Sequence, residues 1–416
     1  MRLRVHRKQN NLLPVGVRFY TVVIALLPVL ASYASGIPGL SLADLVLVLF
    51  CAVKVLGKYN ERRNAFAVKP VLIAAALYLI VLFSLISALV QHEPEISNII
   101  IRTIRYFFYL FVVVFCSRYM LDIELCKKTV KTITVIACVF IFVQFLMYNL
   151  FGVIIRGYLP FLRLYVEGYA ATDYAAIYTK MYRPTSFFLE PAHFARYAVV
   201  GTALTLFGDE KLKWKNVVAA VFISAAILIS TSAQGYMLIA LVWIICLATR
   251  VKALESNSMR AIFVIACILL PILLIGILRL PFVQTAVMRA LNIDFSNLAN
   301  ENTALGARLG GFAYYADLPV GYKLIGMGFG VVPKSSWLSS AAYWLYGSGC
   351  IVFILYMIYM LMCIKKLKGA SRVVFLLFFI LFFSDDSFYS YMCVLFISLS
   401  LIRPAVKVQT AESGAL

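Results

Sequence analysis

An all-α fold that crosses a lipid bilayer about a dozen times is what this sequence predicts, and three features carry the prediction. Of its 416 residues, 63% are hydrophobic and only 13% are charged, whereas a soluble domain carries about 25% charged residues. The apolar residues gather in runs close to the roughly 20 residues that a helix needs to cross a hydrocarbon core. The formal net charge of +20 is concentrated in short segments between those runs, where the positive-inside rule places cytoplasmic charge. That distribution points to the lipid bilayer as the partner and away from nucleic acid.

The runs 19–35, 39–57, 70–90, 98–117, 130–152, 188–207, 216–231, 234–249, 261–279, 340–363, 373–384 and 387–402 form one membrane domain, 1–416. They predict about twelve spans. The basic stretch Met1–Gln9 precedes the first run without a convincing small-residue cleavage site, so it reads as a cytoplasmic tail rather than a signal peptide. Every second connection is then basic. Lys58, Arg62, Arg63 and Lys69 come first, followed by Arg118, Lys127, Lys128 and Lys131. Lys211, Lys213 and Lys215 follow, then Arg250, Lys252 and Arg260, then Lys365, Lys366, Lys368 and Arg372. The intervening loop Gln91–Ser97 has no Lys or Arg. Both termini are therefore expected in the cytoplasm. Asp385-Asp386 interrupts the last apolar stretch, and a polar break, Ser230–Gly235, separates two earlier runs. Each reads as a turn at the outer surface, since charge at mid-bilayer is costly. If Asp385-Asp386 instead lies within one long tilted helix, the count is eleven. Nearly all of the nine cysteines lie in or beside apolar runs without CxxC spacing, as small packing residues do.

Two connections are long, 153–187 and 280–339, and the topology puts both outside. Long loops on one side of a rigid scaffold commonly carry function.

The stretch RPTSFFLEPAHFARY, Arg183–Tyr197, ends the first of them and enters a span. Pro191 suits the first turn of a helix. Glu190, His193 and Arg196 then follow one another at three-residue steps on one arc, with Tyr197 close to the same face. An acid, an imidazole and a guanidinium at a membrane boundary are expensive unless they work or pair. The structural alternative is a capping Glu, an interfacial His and an internal salt bridge. His193 is one of three histidines and the one in a polar constellation. Imidazole suits general-base work near neutral pH; Glu190 is the alternative base, or orients His193.

Arginines also collect on the expected outer side: Arg102, Arg105, Arg156, Arg163, Arg183, Arg196, Arg279, Arg289 and Arg308. Guanidinium forks bind phosphate bidentately, so a lipid diphosphate in the outer leaflet accounts for the set; ordinary anionic headgroups are the alternative. The first outer loop is rich in tyrosine, Tyr182 among them, either as an interfacial belt or as platforms for sugar rings. Gly326–Gly330, GMGFG, has no strand before it and reads as a flexible or closely packed turn rather than a nucleotide loop. Walker A, HExxH and GxSxG patterns are absent, and Asp173 and Asp385-Asp386 are far apart in sequence for a shared divalent ion.

RPTSFFLEPAHFARY resembles the characteristic segment of bacterial O-antigen and capsular polysaccharide repeat-unit polymerases (Wzy type). STSAQGY, Ser230–Tyr236, resembles theirs too, as does an arginine in the second outer loop, Arg308 in GARLGG, leading to the GMGFG turn. The layout matches over nearly the whole chain. The related O-antigen ligases typically carry an arginine where Gln234 stands. The resemblance implies a metal-independent, GT-C-like membrane glycosyltransferase without a cofactor. It would sit in the bacterial inner membrane with its site facing the periplasm. It would move a growing glycan from undecaprenyl diphosphate to an acceptor repeat unit on the same lipid. It leaves room for a chain-length regulator and a flippase as partners. On this sequence, Arg183, Arg196 and Arg308 would stabilise the leaving diphosphate, and His193 or Glu190 would activate the acceptor hydroxyl. The alternatives are a ligase that transfers a finished glycan, and a non-enzymatic transporter or flippase of lipid-linked sugars.

Overall fold

The computed structural model describes residues 14–37, 40–57, 64–91, 94–165, 182–209, 211–250, 306–333, 338–385 and 391–402, with 306–310 as backbone alone. The described residues are helical, with isolated bridges and no strand. In chain order the helices are α1 Val15–Leu30, α2 Leu42–Leu56, α3 Val71–Val90, α4 Ile96–Met120, α5 Ile123–Phe151, α6 Pro191–Phe207 and α7 Trp214–Ile229. Then come α8 Ala233–Arg250, α9 Gly306–Ala316, α10 Val320–Ile325, α11 Ser340–Lys366, α12 Gly369–Ser384 and α13 Met392–Leu399.

Five of them, α3, α4, α5, α8 and α11, are long and apolar enough to cross a membrane; α1, α7 and α12 are apolar and shorter. The chain is therefore a multi-pass membrane protein. The expected run 261–279, and the loop residues 166–181 and 280–305, lie outside the described residues.

Helix boundaries follow local chemistry. Ser41 starts α2 with a reciprocal cap: its Oγ accepts from the Asp44 N–H, and its own N–H donates to Asp44 Oδ2 at 3.0 Å. Asp122 caps α5 by accepting from the Leu125 N–H at 2.8 Å, and Gly152, at φ +67°, ends it. In α4 the stretch Val112–Ser117 widens into a π-helical turn, and Ser117 Oγ there meets Tyr20 Oη and Ser398 Oγ, each at 2.8 Å. The chain also breaks at Asp385, which is extended and ends α12, so 373–402 is not one long helix. The last helix, α13, has eight residues, about 12 Å of helix, and is buried throughout. The second outer loop, expected as loop, contains two helices, α9 and α10.

The centre of the molecule is α6. From Phe194 to Phe207 every residue is buried, as befits a helix without a polar side. Its neighbours are α5, α7, α8 and α12. Small residues set the spacing: a Cβ at Gly201 would meet Thr134 Oγ1 of α5 at 2.2 Å, the close backbone approach that membrane helices use.

Contacts sort the helix ends into two layers. In one, Tyr33 bridges to Leu164 and Ala34 N–H donates to the Arg163 carbonyl. In the other, Ala65 bridges to Ile402, Asn64 Nδ2 donates to the carbonyls of Ser117 and Leu121, and Arg250 reaches the carbonyl of Asp209. The lysine clusters 127–131, 211–215 and 365–368 fall in the second layer.

Candidate functional site

The first layer gathers the start of α6, the start of α8, the start of α11 and the end of α12. Glu190 is the extended residue before α6, and Pro191 opens the helix, as the sequence predicts. Its carbonyl accepts from the Phe194 N–H at 3.1 Å, and its side chain is half-buried. His193 stands half-buried in the first turn, and the charges of Arg196, Glu190 and Asp385 all bear on it.

Arg196 is placed differently from a diphosphate ligand open to the leaflet. Its Nη1 donates to Asp385 Oδ1 at 2.5 Å, with the two side chains 4% and 8% exposed. A buried guanidinium needs such a counter-charge. The internal salt bridge, one of the two readings open from sequence, is present, and its partner comes from α12. Tyr197 leaves the polar face altogether: it is buried, its hydroxyl donates to the Ala25 carbonyl of α1 at 2.8 Å, and its ring lies 5.4 Å from Phe188. Position 197 is one residue past Arg196, so helical rotation carries it about 100° away, into the core.

Arg183 joins the two sequence segments singled out above. Its Nε donates to Thr231 Oγ1 at 3.0 Å and its Nη2 to the Thr231 carbonyl at 3.1 Å. Across the same boundary, a Cβ at Gly235 would lie 2.7 Å from Ala195 Cβ, so only glycine lets the start of α8 rest on α6. The two non-glycine residues with positive φ among the described residues are Ser186, +56°, and Thr231, +54°, one in each segment. Such conformations cost roughly 1–3 kcal/mol and persist where surroundings over-determine them. Gln144 does this for Ser186, accepting from its N–H at 2.8 Å and donating to its carbonyl at 3.3 Å. Gln234, also in the break, is buried and donates to Ser384 Oγ at 3.2 Å, next to Asp385.

The remaining arginines spread around this end. Arg102 is exposed on α4, its stem against Gly330 and its charge felt by Tyr343 of α11. Arg105 belongs to a separate cluster, 3.9 Å from Asp44 Oδ2, while Tyr109 Oη donates to Asp44 Oδ1 at 2.7 Å. Arg156 and Arg163 are exposed in the first loop, Arg156 over the Tyr158 ring at 5.9 Å. Tyr182 stacks on Tyr148 at 4.5 Å, and burial pushes its hydroxyl up to about 12. One of its ring faces is thus already used. Arg289 lies outside the described residues. Arg308 has its backbone in α9, a helix whose Gly311 rests against Leu338 and Ala342 at the start of α11.

The GMGFG turn is a packed element. Gly326, Gly328 and Gly330 all have positive φ, between +81° and +108°, which is why glycine alternates there. Met327 and Gly328 N–H groups donate to the carbonyls of Tyr346 and Gly347, where α11 kinks at Gly349. Phe329 inserts among Tyr106, Tyr343 and Trp344, with ring centroids 5.4–5.7 Å away. From α3, Ser84, Ser87 and Gln91 bond the same turn.

Among the described residues no three His, Cys, Asp or Glu side chains gather as a metal site; Asp173 and Asp386 lie outside them. Asp385 also stands at this end, where the Ser340 N–H and Oγ both donate to its carbonyl at 2.7 and 2.6 Å; from sequence Asp385 reads as a turn residue or a distant member of a divalent-ion set, and Ser340 does not stand out. The available signal was that an acid inside an apolar stretch seeks an opposite charge on another span. The arrangement offers a base, fixed guanidinium groups and three helix N-termini at one end, which suits a reaction that develops negative charge. Compared with models of known protein families and with curated proteins, the chain matches none.

Proposed function

We propose that this chain is a membrane glycosyltransferase that polymerises lipid-linked oligosaccharide repeat units into a surface polysaccharide such as O-antigen, capsule or exopolysaccharide. The observation that carries the reading is the meeting of Arg183–Tyr197 with Ser230–Tyr236 through the Arg183–Thr231 bonds. Those are the two segments that resemble the polymerases, and they lie 48 residues apart at this contact.

In this reading His193, or Glu190 in its place, takes the proton of an acceptor-sugar hydroxyl. The oxygen then attacks the anomeric carbon of the donor glycan, and the bond to the diphosphate oxygen breaks. Undecaprenyl diphosphate leaves with the electron pair. Arg183, Arg308 and the exposed Arg102 stabilise that charge, as preorganised cations do best. The energy resides in the lipid diphosphate, so no nucleotide is needed. In this reading the lysine-rich layer faces the cytoplasm, as the positive-inside rule expects, and the site lies on the outer or periplasmic face of the inner membrane with both termini inside. Gln234, bonded to Ser384 where ligases typically carry arginine, favours polymerase over ligase.

The test is purified protein in liposomes with undecaprenyl-diphosphate repeat units and no ATP. A ladder of lengthening glycans is expected, lost in His193→Ala and Arg308→Ala. No ladder from folded protein and matching substrate turns the reading towards a ligase or a transporter.

A further inference from the structure

We propose that Asp385 is a positioning residue of this site, acting through Arg196 to hold the first turn of α6, which carries His193 and directly follows Glu190. The inference rests on the polymerase reading and adds a residue to it. Asp385 follows the last turn of α12 in an extended conformation, φ −154° and ψ 167°, so its side chain and carbonyl both leave the helix ladder. The side chain accepts from Arg196 Nη1 of α6 at 2.5 Å. The carbonyl accepts from the N–H and Oγ of Ser340, at the start of α11. Its own N–H is returned to the Leu381 carbonyl at 2.8 Å. One residue earlier, Ser384 Oγ accepts from Gln234 of α8. Two adjacent residues therefore fix the ends of α6, α8, α11 and α12 relative to one another.

A buried guanidinium held by a carboxylate keeps a single orientation, because leaving it would strand two charges. Arg196 is three residues from His193 on one arc of α6. Its Nε also reaches the Ala192 carbonyl, at 3.4 Å, within the same turn. Fixing Arg196 thus fixes the turn that presents His193. The pair also offsets the Arg196 charge, so in the polymerase reading Arg183, Arg308 and Arg102, rather than Arg196, act on the diphosphate. Removing the Asp385 charge should therefore disturb the reacting geometry more than substrate capture.

The experiment measures kcat and KM for the full-length protein in liposomes. The substrate is lipid-linked single repeat units extracted from a strain that lacks this protein. For Asp385→Asn, kcat is expected to fall at least about tenfold with KM within about twofold of wild type. The thermal midpoint in detergent is expected to fall, because the buried Arg196 loses its counter-charge, so kcat is compared at a temperature where both proteins are folded; Asp385→Glu should recover kcat to within about threefold. A folded Asp385→Asn protein with kcat within about twofold of wild type overturns the inference and leaves the polymerase reading standing. If Asp385→Asn does not fold, the exchanged pair Arg196→Asp with Asp385→Arg decides. A folded exchange with kcat restored to within about threefold of wild type supports positioning through the pair. A folded but inactive exchange, or failure of the exchange to fold, overturns it. Wild-type protein that makes no ladder sinks the polymerase reading, and this inference falls with it.

Discussion

At the scale of residues, the glycines of GMGFG show how conformation and space act together. Gly326 combines φ +81° with a Cβ position 2.4 Å from the Gly347 backbone. An alanine there must strain the backbone and push α11 away. Gly321, in α10, has nothing within 4 Å of its Cβ position and an ordinary helical φ. We expect Gly326→Ala to lower stability by roughly 1–3 kcal/mol or more, the cost of a left-handed non-glycine residue before any clash. Gly321→Ala should leave stability unchanged or raise it by up to about 1 kcal/mol, as helix propensity predicts. Thermal unfolding of both in one detergent checks the contrast, and equal midpoints would show that the turn is not held as described.

At the scale of elements, α3 explains why an apolar helix carries a polar stripe. Ser84, Ser87 and Gln91 sit at i, i+3 and i+7, on one face. Ser84 Oγ accepts from the Phe329 N–H at 2.9 Å, Ser87 Oγ donates to the Gly326 carbonyl at 3.1 Å, and Gln91 donates to the Met327 carbonyl at 2.9 Å. The side chains replace water for a turn that lacks helical partners, which buried backbone requires. Ser87→Ala removes its bond to Gly326 and the one it receives from Gln91, each worth about 0.6–1 kcal/mol in such settings. Faster amide exchange confined to residues 326–331 is the expected result. Unchanged exchange would mean that the stripe does not hold the turn.

The positions of α6, α8 and α12 were largely legible as apolar runs, because hydrophobic length is a local property. Helices α9 and α10 were not, since they are short, glycine-containing and held by packing on α11. In the site, the His193–Arg196 spacing could be read from the helical period, while Glu190, expected on the same arc, is the extended residue before the helix. The counter-ion of Arg196 could not be read, because Asp385 is 189 residues away from it in the chain. Tyr197 shows the limit of spacing arguments: a position near a face is still turned by its neighbours into the core.

At the scale of the whole molecule, the two layers of helix ends differ in charge. Lysine clusters mark one, while arginines paired or stacked on acids and tyrosines mark the other. This makes a direct topological prediction. In a cysteine-free background, Arg156→Cys should react with a membrane-impermeant maleimide added outside sealed, right-side-out membrane vesicles. Lys213→Cys should react only after the vesicles are opened. The reverse pattern would invert the protein and move the site to the cytoplasmic side.

A helical membrane protein, the starts and ends of most of its helices, and one helix entrance with an acid, an imidazole and a guanidinium all follow from the sequence alone. Those features are written in local composition and period, which the bilayer reads without reference to distant residues. Three-dimensional packing adds that Arg196 is neutralised by Asp385, that Arg183 clasps Thr231, and that GMGFG is a packed turn. Each depends on which helix ends meet, and low-dielectric surroundings make any buried charge or backbone group find a partner wherever the fold brings one.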